Sequence, residues 1–244
     1  MSSSWLPLVV DEGQPARAEG LLIRLGHAVL LIPDGGTVVT SDSEIVATST
    51  PVELCVVDSS IDLDRLESQT VVAQGAWTDR KLAIDDASSL IVRPEAAVVA
   101  RRADDAASSF TGQALHKQLR CRPPVERSLL EDGHLLDLWT ADRGAGDERH
   151  IALATDVAKV RAALAPLFGE SLVVIESRWT EGMFREIEAV LGESGLVASS
   201  GREVGADFQM KVTVTLLHLP TRLARRLEQF PAEALALRLL VMPA

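Results

Sequence analysis

Hydrophobic positions follow two periods along this chain. Over residues 1–100 they come in short runs separated by turn residues. From residue 150 onward, stretches with an apolar residue every three or four positions alternate with such runs. In the first part LLIRLGHAVLLI (21–32) reads as strand, followed by Pro33-Asp34-Gly35-Gly36 and then Thr37-Val38-Val39-Thr40. Asp-Gly between apolar runs predicts a hairpin, because both central turn positions favour positive φ. ELCVVD (53–58) predicts a further strand, and VVAQGAW and KLAIDD predict a second hairpin across Thr78-Asp79-Arg80. IVRPEAAVVA ends the region, with Pro94 marking an edge or a break. IDLDRLES supports one or two turns of helix at most.

Arg101 to Arg127 is poor in apolar residues and contains Pro123-Pro124, which predicts a linker carrying one short helix near Leu115 and Leu119. SLLEDGHLLDLWT (128–140) reads as a third Asp-Gly hairpin, and HIALAT as a strand. Thr155-Asp156 then caps a helix that ends at Gly169, with Pro166 in its last turn. A strand at Leu172–Ile175 leads through Glu176-Ser177-Arg178-Trp179 into a helix over Glu181–Leu191. Thr180 is placed to cap that helix, and Trp179 to pack back near Phe184. LVASSGREV and KVTVTLLHL predict two strands joined near Asp207-Phe208-Gln209. TRLARRLEQF predicts a helix, and ALALRLLVM a final strand.

These elements divide the chain into a mostly-β unit at 1–100, a linker at 101–127 and an α+β unit at 128–244. Short strands at this spacing predict a small antiparallel barrel, OB-like among the options, or a sandwich. From Leu172 the element order β-α-β-β-α-β resembles that of ferredoxin-like folds, and the preceding strand and helix would extend that unit. The resemblance rests on element order alone.

Composition narrows what such a protein does. Residues 1–100 carry 15 acidic against 6 basic side chains, which is most of the net charge of -11. That balance argues against nucleic acid as a partner, because phosphate binding needs a basic face to displace counterions. Aromatic residues are 4% of the chain, with no tyrosine, so stacking platforms for bases or sugars are few. Cys55 and Cys121 lie far apart without metal-ligand spacing, which suits free thiols in a reducing cytoplasm. The N-terminus lacks a basic segment ahead of its apolar residues, and no window approaches the ~20 apolar residues of a membrane span. The expectation is a soluble cytoplasmic protein without a membrane partner.

Catalytic signals are missing from the pattern. His27, His116, His134, His150 and His218 show no HxxxH, HExxH or HxH spacing, and there is no GxSxG, GxGxxG or P-loop. Glu131, Asp132, His134 and Asp137 are close in sequence, but a hairpin would split them between two sheet faces, and a turn accounts for Asp-Gly. No catalytic residue, metal or cofactor is therefore assigned.

Two charged features remain as binding candidates. Glu176 and Arg178 alternate at the strand end and are expected to form an ion pair, within the chain or across an interface. Arg222, Arg225 and Arg226 share one helix face. Lys117, Arg120, Arg122 and Arg127 form a further basic stretch, read as a solvated linker. The reading that results is a non-catalytic two-unit protein acting through protein–protein contacts, with another protein or with itself. It would serve as a scaffold, an assembly component or an inhibitor or immunity-type protein. A small-molecule-sensing module is the alternative, and an enzyme of unrecognised type comes third.

Overall fold

LLIRLGHAVLLI forms two strands rather than one. In a computed structural model of the chain, which describes residues 5–33, 38–41, 44–47, 50–93, 123–142 and 148–244, β1 (Pro15–Leu25) turns over Gly26 into β2 (Ala28–Ile32). The reason is local. Gly26 takes φ 60, so a two-residue turn fits inside the apolar run. The Asp34-Gly35 turn expected to follow lies outside the described residues. Beyond it β3 (Val38–Ser41) and β4 (Glu44–Ala47) pair with each other. β5 (Val52–Val56) and the four-residue α1 (Leu63–Leu66) fall as the pattern predicts. So does the hairpin of β6 (Thr70–Thr78) and β7 (Lys81–Ile84), which turns on Asp79 and Arg80, both at positive φ.

β1 closes the first sheet by serving two partners. Its first half, Pro15–Leu21, pairs with β6, and its second half, Leu21–Leu25, pairs with β2. The strand order β1-β2-β5-β7-β6 thus returns to β1, with only β5 and β7 running parallel. β8 (Leu90–Val92) adds to the outside of β6. Side chains at every second position of β1 (Ala16, Ala18 and Leu22) point inward to meet Leu31, Val71, Leu82, Ile84 and Trp77. Two glycines permit the closure. A Cβ on Gly20 would stand 2.4 Å from the Ile32 carbonyl oxygen, and one on Gly75 would stand 1.8 Å from that of Ala83.

The remaining strands form two three-strand sheets. The first helix of this part, α2 (Pro124–Glu131), occupies sequence that predicts linker and hairpin. Pro124 opens it, and Gly133 at φ 71 closes it with the Gly133 and His134 amides bonded back to Leu130 and Leu129. The Asp-Gly pair is therefore a helix stop rather than a hairpin turn. β9 (Leu135–Asp142) and β10 (Glu148–Ala154) follow as an antiparallel pair. α3 (Val157–Phe168), capped by Asp156, then leads to β11 (Leu172–Glu176), which lies parallel to β10. The same sequence of elements then repeats. α4 (Glu181–Gly192) precedes the antiparallel β12 (Val197–Val204) and β13 (Met210–Leu216). α5 (Thr221–Leu227) then leads to β14 (Leu235–Leu239), parallel to β13.

This pairing corrects the ferredoxin-like expectation. β11 belongs with β9 and β10, so β11 to β14 make no four-strand antiparallel sheet. Residues 124–239 are an αββαβ arrangement twice over, and the chain as a whole is a mixed α+β protein made mostly of strands. Burial explains why the two halves read differently. Ile151 to Ala154 on β10 are buried without alternation: Ala152 and Ala154 face α2 and α3, while Leu153 joins the core around α4 and β13. β13 alternates Met210, Val212, Val214 and Leu216 inward with Lys211, Thr213 and Thr215 outward, because only one face of its sheet is covered.

The final segment ties the second part to the barrel. ALALRLLVM is two strands, since β15 (Val241–Pro243) leaves β14 to pair antiparallel with β1. Leu217, Leu240 and Val241 complete the barrel core, and the Val10 amide bonds the Leu219 carbonyl. Among the described residues no helix is long and apolar enough to cross a membrane. Gly75→Ala is expected to cost about 3 kcal/mol or more, because its Cβ meets backbone that cannot yield. Urea denaturation of the variant measures this.

Candidate functional site

The polar break after β11 is held by one side chain from a distant hairpin. Odd-numbered residues of β11 direct their backbone groups at β10, as the bond from the Ser177 amide to the Ala154 carbonyl shows. Even-numbered residues therefore point theirs outward. Gln209, only 6% exposed, donates through Nε2 to the Glu176 carbonyl at 3.2 Å and accepts from the Arg178 amide at 2.8 Å. Its carboxamide takes the place of a peptide group of an added strand. Ser177 folds the chain onward by accepting from the Trp179 amide at 3.1 Å. Thr180 caps α4 by accepting from the Met183 amide at 3.2 Å, and Trp179 shares the core with Phe184.

Gln209 sits where it does because of the turn between β12 and β13. Gly205 and Gln209 close that turn through the bonds Gly205 N–H to Gln209 carbonyl and Phe208 N–H to Gly205 carbonyl, both 2.9 Å. Phe208 takes φ 57, a conformation normally left to glycine, since a Cβ there crowds the following carbonyl at about 1–2 kcal/mol. The residue is 45% exposed, and its ring stacks on Trp139 of β9, with centroids 6.4 Å apart and planes inclined by 10°. Trp139, Ile151 and Val173 lie side by side across β9, β10 and β11, and Val173 is 38% exposed. Phe208 is joined to Arg178 and Glu176, both exposed, only through its neighbour Gln209, which bonds their backbone groups.

Glu176 and Arg178 do not pair with each other or with any other charge among the described residues. They are exposed, and their backbones are fixed by Gln209. On α5, Arg226 donates to Glu193 at 2.7 Å, while Arg222 and Arg225 are exposed. Arg127 lies on α2, and the other members of the basic stretch are outside the described residues. Asp132 and His134 stand at the end of α2, beside Lys159 and Asp156 at 3.9 Å each, and no group of three metal-ligating side chains occurs among the described residues.

Two further polar clusters escaped the sequence reading. Arg202 of β12 reaches α4, donating to Glu188 at 2.6 and 2.8 Å and to Glu181 at 2.6 and 3.3 Å, with its guanidinium 5.2 Å from the Phe184 ring centroid. Burial opposes the charge, but the two carboxylates outweigh it and hold Arg202 protonated well above its usual range. Where the barrel meets the second part, Asp11 accepts from the backbone and hydroxyl of Thr221 at the start of α5. His218, 9% exposed, lies 5.0 Å from the Trp77 ring between centroids, and its Nδ1 has no hydrogen-bond partner among the described residues. Burial pushes this imidazole below its ordinary 6.5. Arg80 adds to that push, and Asp11 and Glu12 oppose it. Neither cluster has a sequence signal, because its members are separated by strands and helices. The chain matches no protein-family model, and comparisons with curated proteins and with solved structures also find no match.

Arg202→Ala is expected to cost about 2 kcal/mol in chemical denaturation, less than the ~3–5 kcal/mol of a fully buried pair because water still reaches these carboxylates. His218 has its pKa depressed on folding, so the unfolded chain binds the proton first. Stability is then full above pH 6.5 and falls as pH drops below it. Thermal melts at stepped pH are expected to show this slope in the parent chain and a shallower one in His218→Leu.

Proposed function

We propose that this chain works by binding another protein through the aromatic ledge of Trp139, Phe208 and Val173, rather than by chemistry in a cleft. The observation that carries the reading is Phe208. A bulky side chain is kept in a left-handed position and out in solvent, where glycine would relieve the backbone. Such strain is retained where the side chain has use, and exposed aromatics beside an arginine are the usual energetic centre of a protein interface. Arg178 and Glu176, exposed at the strand end that Gln209 holds, supply polar contacts to the same partner in this reading. Arg222 and Arg225 offer a second, purely electrostatic contact of lesser weight.

In this reading the N-terminal unit is a support. Its closed five-strand sheet resembles an OB-like barrel, a fold that serves many functions. The acidic balance of residues 1–100 argues against using it for nucleic acid. A scaffold, an assembly component and an inhibitor share this mode of action.

The test is retention of a partner from native extract by immobilised full-length chain, compared between the parent and Phe208→Ala. The expected result is a defined protein that binds the parent and weakens about 30-fold or more with Phe208→Ala, the loss typical of an interface centre. Phe208→Gly should weaken binding as much while leaving folding stability within about 1 kcal/mol, since relief of backbone strain offsets the lost ring stacking. Failure to retain any protein, with a small metabolite raising the melting temperature instead, would contradict the reading.

A further inference from the structure

The segment that precedes β1 crosses the seam between the barrel and the second part. Trp5 and Val9 pack against the core around α4, while Val10, fully buried, joins the barrel core. The Val10 amide donates to the Leu219 carbonyl at 2.9 Å. Asp11 accepts from the Thr221 amide at 2.9 Å and from the Thr221 hydroxyl. On the barrel side Glu12 accepts from the Asp79 amide at 2.7 Å, and the Gly13 amide donates to the Trp77 carbonyl at 2.7 Å. This strap is thus held between the end of β6 and the stretch Leu217–Thr221.

His218 is buried in that stretch against Trp77, the residue to which Gly13 is bonded. Its Nδ1 is sealed from water and has no partner among the described residues. An imidazolium carries hydrogen on both ring nitrogens, so protonation makes Nδ1 a buried donor without an acceptor and adds a charge. The charged groups that face the ring are Asp11 and Glu12 on the strap and Arg80 in the turn after β6, with none on Leu217–Thr221 itself. Arg80 repels an imidazolium. Asp11 and Glu12 attract it, but they already hold Thr221 and Asp79, so neutralising His218 draws them off the bonds that fasten the strap. Burial and Arg80 outweigh the two carboxylates and favour the neutral ring.

We propose that the seam is an acid-sensitive latch, in which protonation of His218 loosens the strap from Leu219 and Thr221 while the sheets stay folded. Histidine is the side chain suited to such a switch near neutral pH, and here it lies beneath the segment that it would release. The latch goes beyond the reading of the aromatic ledge and does not depend on it.

Hydrogen exchange of the full chain at stepped pH, corrected for the intrinsic pH dependence of exchange, tests this. The amides of Val10 and Thr221 should exchange ahead of those of Leu22 and Ser177, which bond to Gln69 within the barrel and to Ala154 of β10. Protection of Val10 and Thr221 should fall as pH drops below 6.5, by up to about tenfold per pH unit, while circular dichroism is unchanged. His218→Phe keeps a ring against Trp77 and should remove this fall. Arg80→Asn, an exposed change at a left-handed position that asparagine tolerates, should lessen it and keeps the test valid if His218→Phe disturbs folding. Protection of Val10 and Thr221 that ignores pH, a fall undiminished in the variants, or equal protection of Val10 and Ser177 at every pH would overturn the latch.

Discussion

A backbone amide at the edge of a sheet must bond to something, and this molecule is organised by how it meets that demand. The first sheet removes its edges by closing, with β1 long enough to pair with β6 along one half and β2 along the other. β15 and β8 then cover parts of β1 and β6 from outside. In the second part the last outward slot of β11 is filled by the Gln209 carboxamide, acting as a single peptide unit. What remains open among the described residues is the short stretch around Val174.

Repetition and burial together place the candidate surface. Both αββαβ halves build an antiparallel hairpin and then cross back to a third strand parallel to its second. They differ in what lies on the far face of each sheet. In the first half that face carries Leu153 and Ile175 into the core around α4, and Trp139 at its margin supports Phe208. In the second half the corresponding face is polar, with Lys211, Thr213 and Thr215. The turn bearing Phe208 and Gln209 therefore bridges the halves, stacking on β9 with one residue and bonding the end of β11 with the next. Arg202 and its two glutamates fix the strand on one side of that turn against α4.

Much of the local structure was legible because it depends on neighbours in sequence. Thr180 and Asp156 cap their helices as the side-chain pattern predicts, and Asp79-Arg80 turns the hairpin between β6 and β7. Where the reading failed, one signal had two meanings. Asp132-Gly133 stops a helix, although Asp-Gly between apolar runs predicts a hairpin, and Gly26 splits what looked like one strand. Sheet membership was not legible, because the element order after Leu172 says nothing of whether β11 pairs with β10 or with later strands. The repeat left only a faint trace: Phe168-Gly-Glu-Ser-Leu172 and Phe230-Pro-Ala-Glu-Ala-Leu235 both lead from a helix into the third strand. For the site, Arg178 and Glu176 were visible as charges, whereas Phe208 and Trp139 are 69 residues apart and come together only through the fold.

The most direct measurement is hydrogen exchange at the Arg178 amide in the parent chain and in Gln209→Ala. The account predicts a protected Arg178 amide in the parent and rapid exchange in the variant, while the Ser177 amide, bonded to Ala154, stays protected in both. Rapid exchange of Arg178 in the parent would contradict it, as would protection that survives loss of the Gln209 side chain.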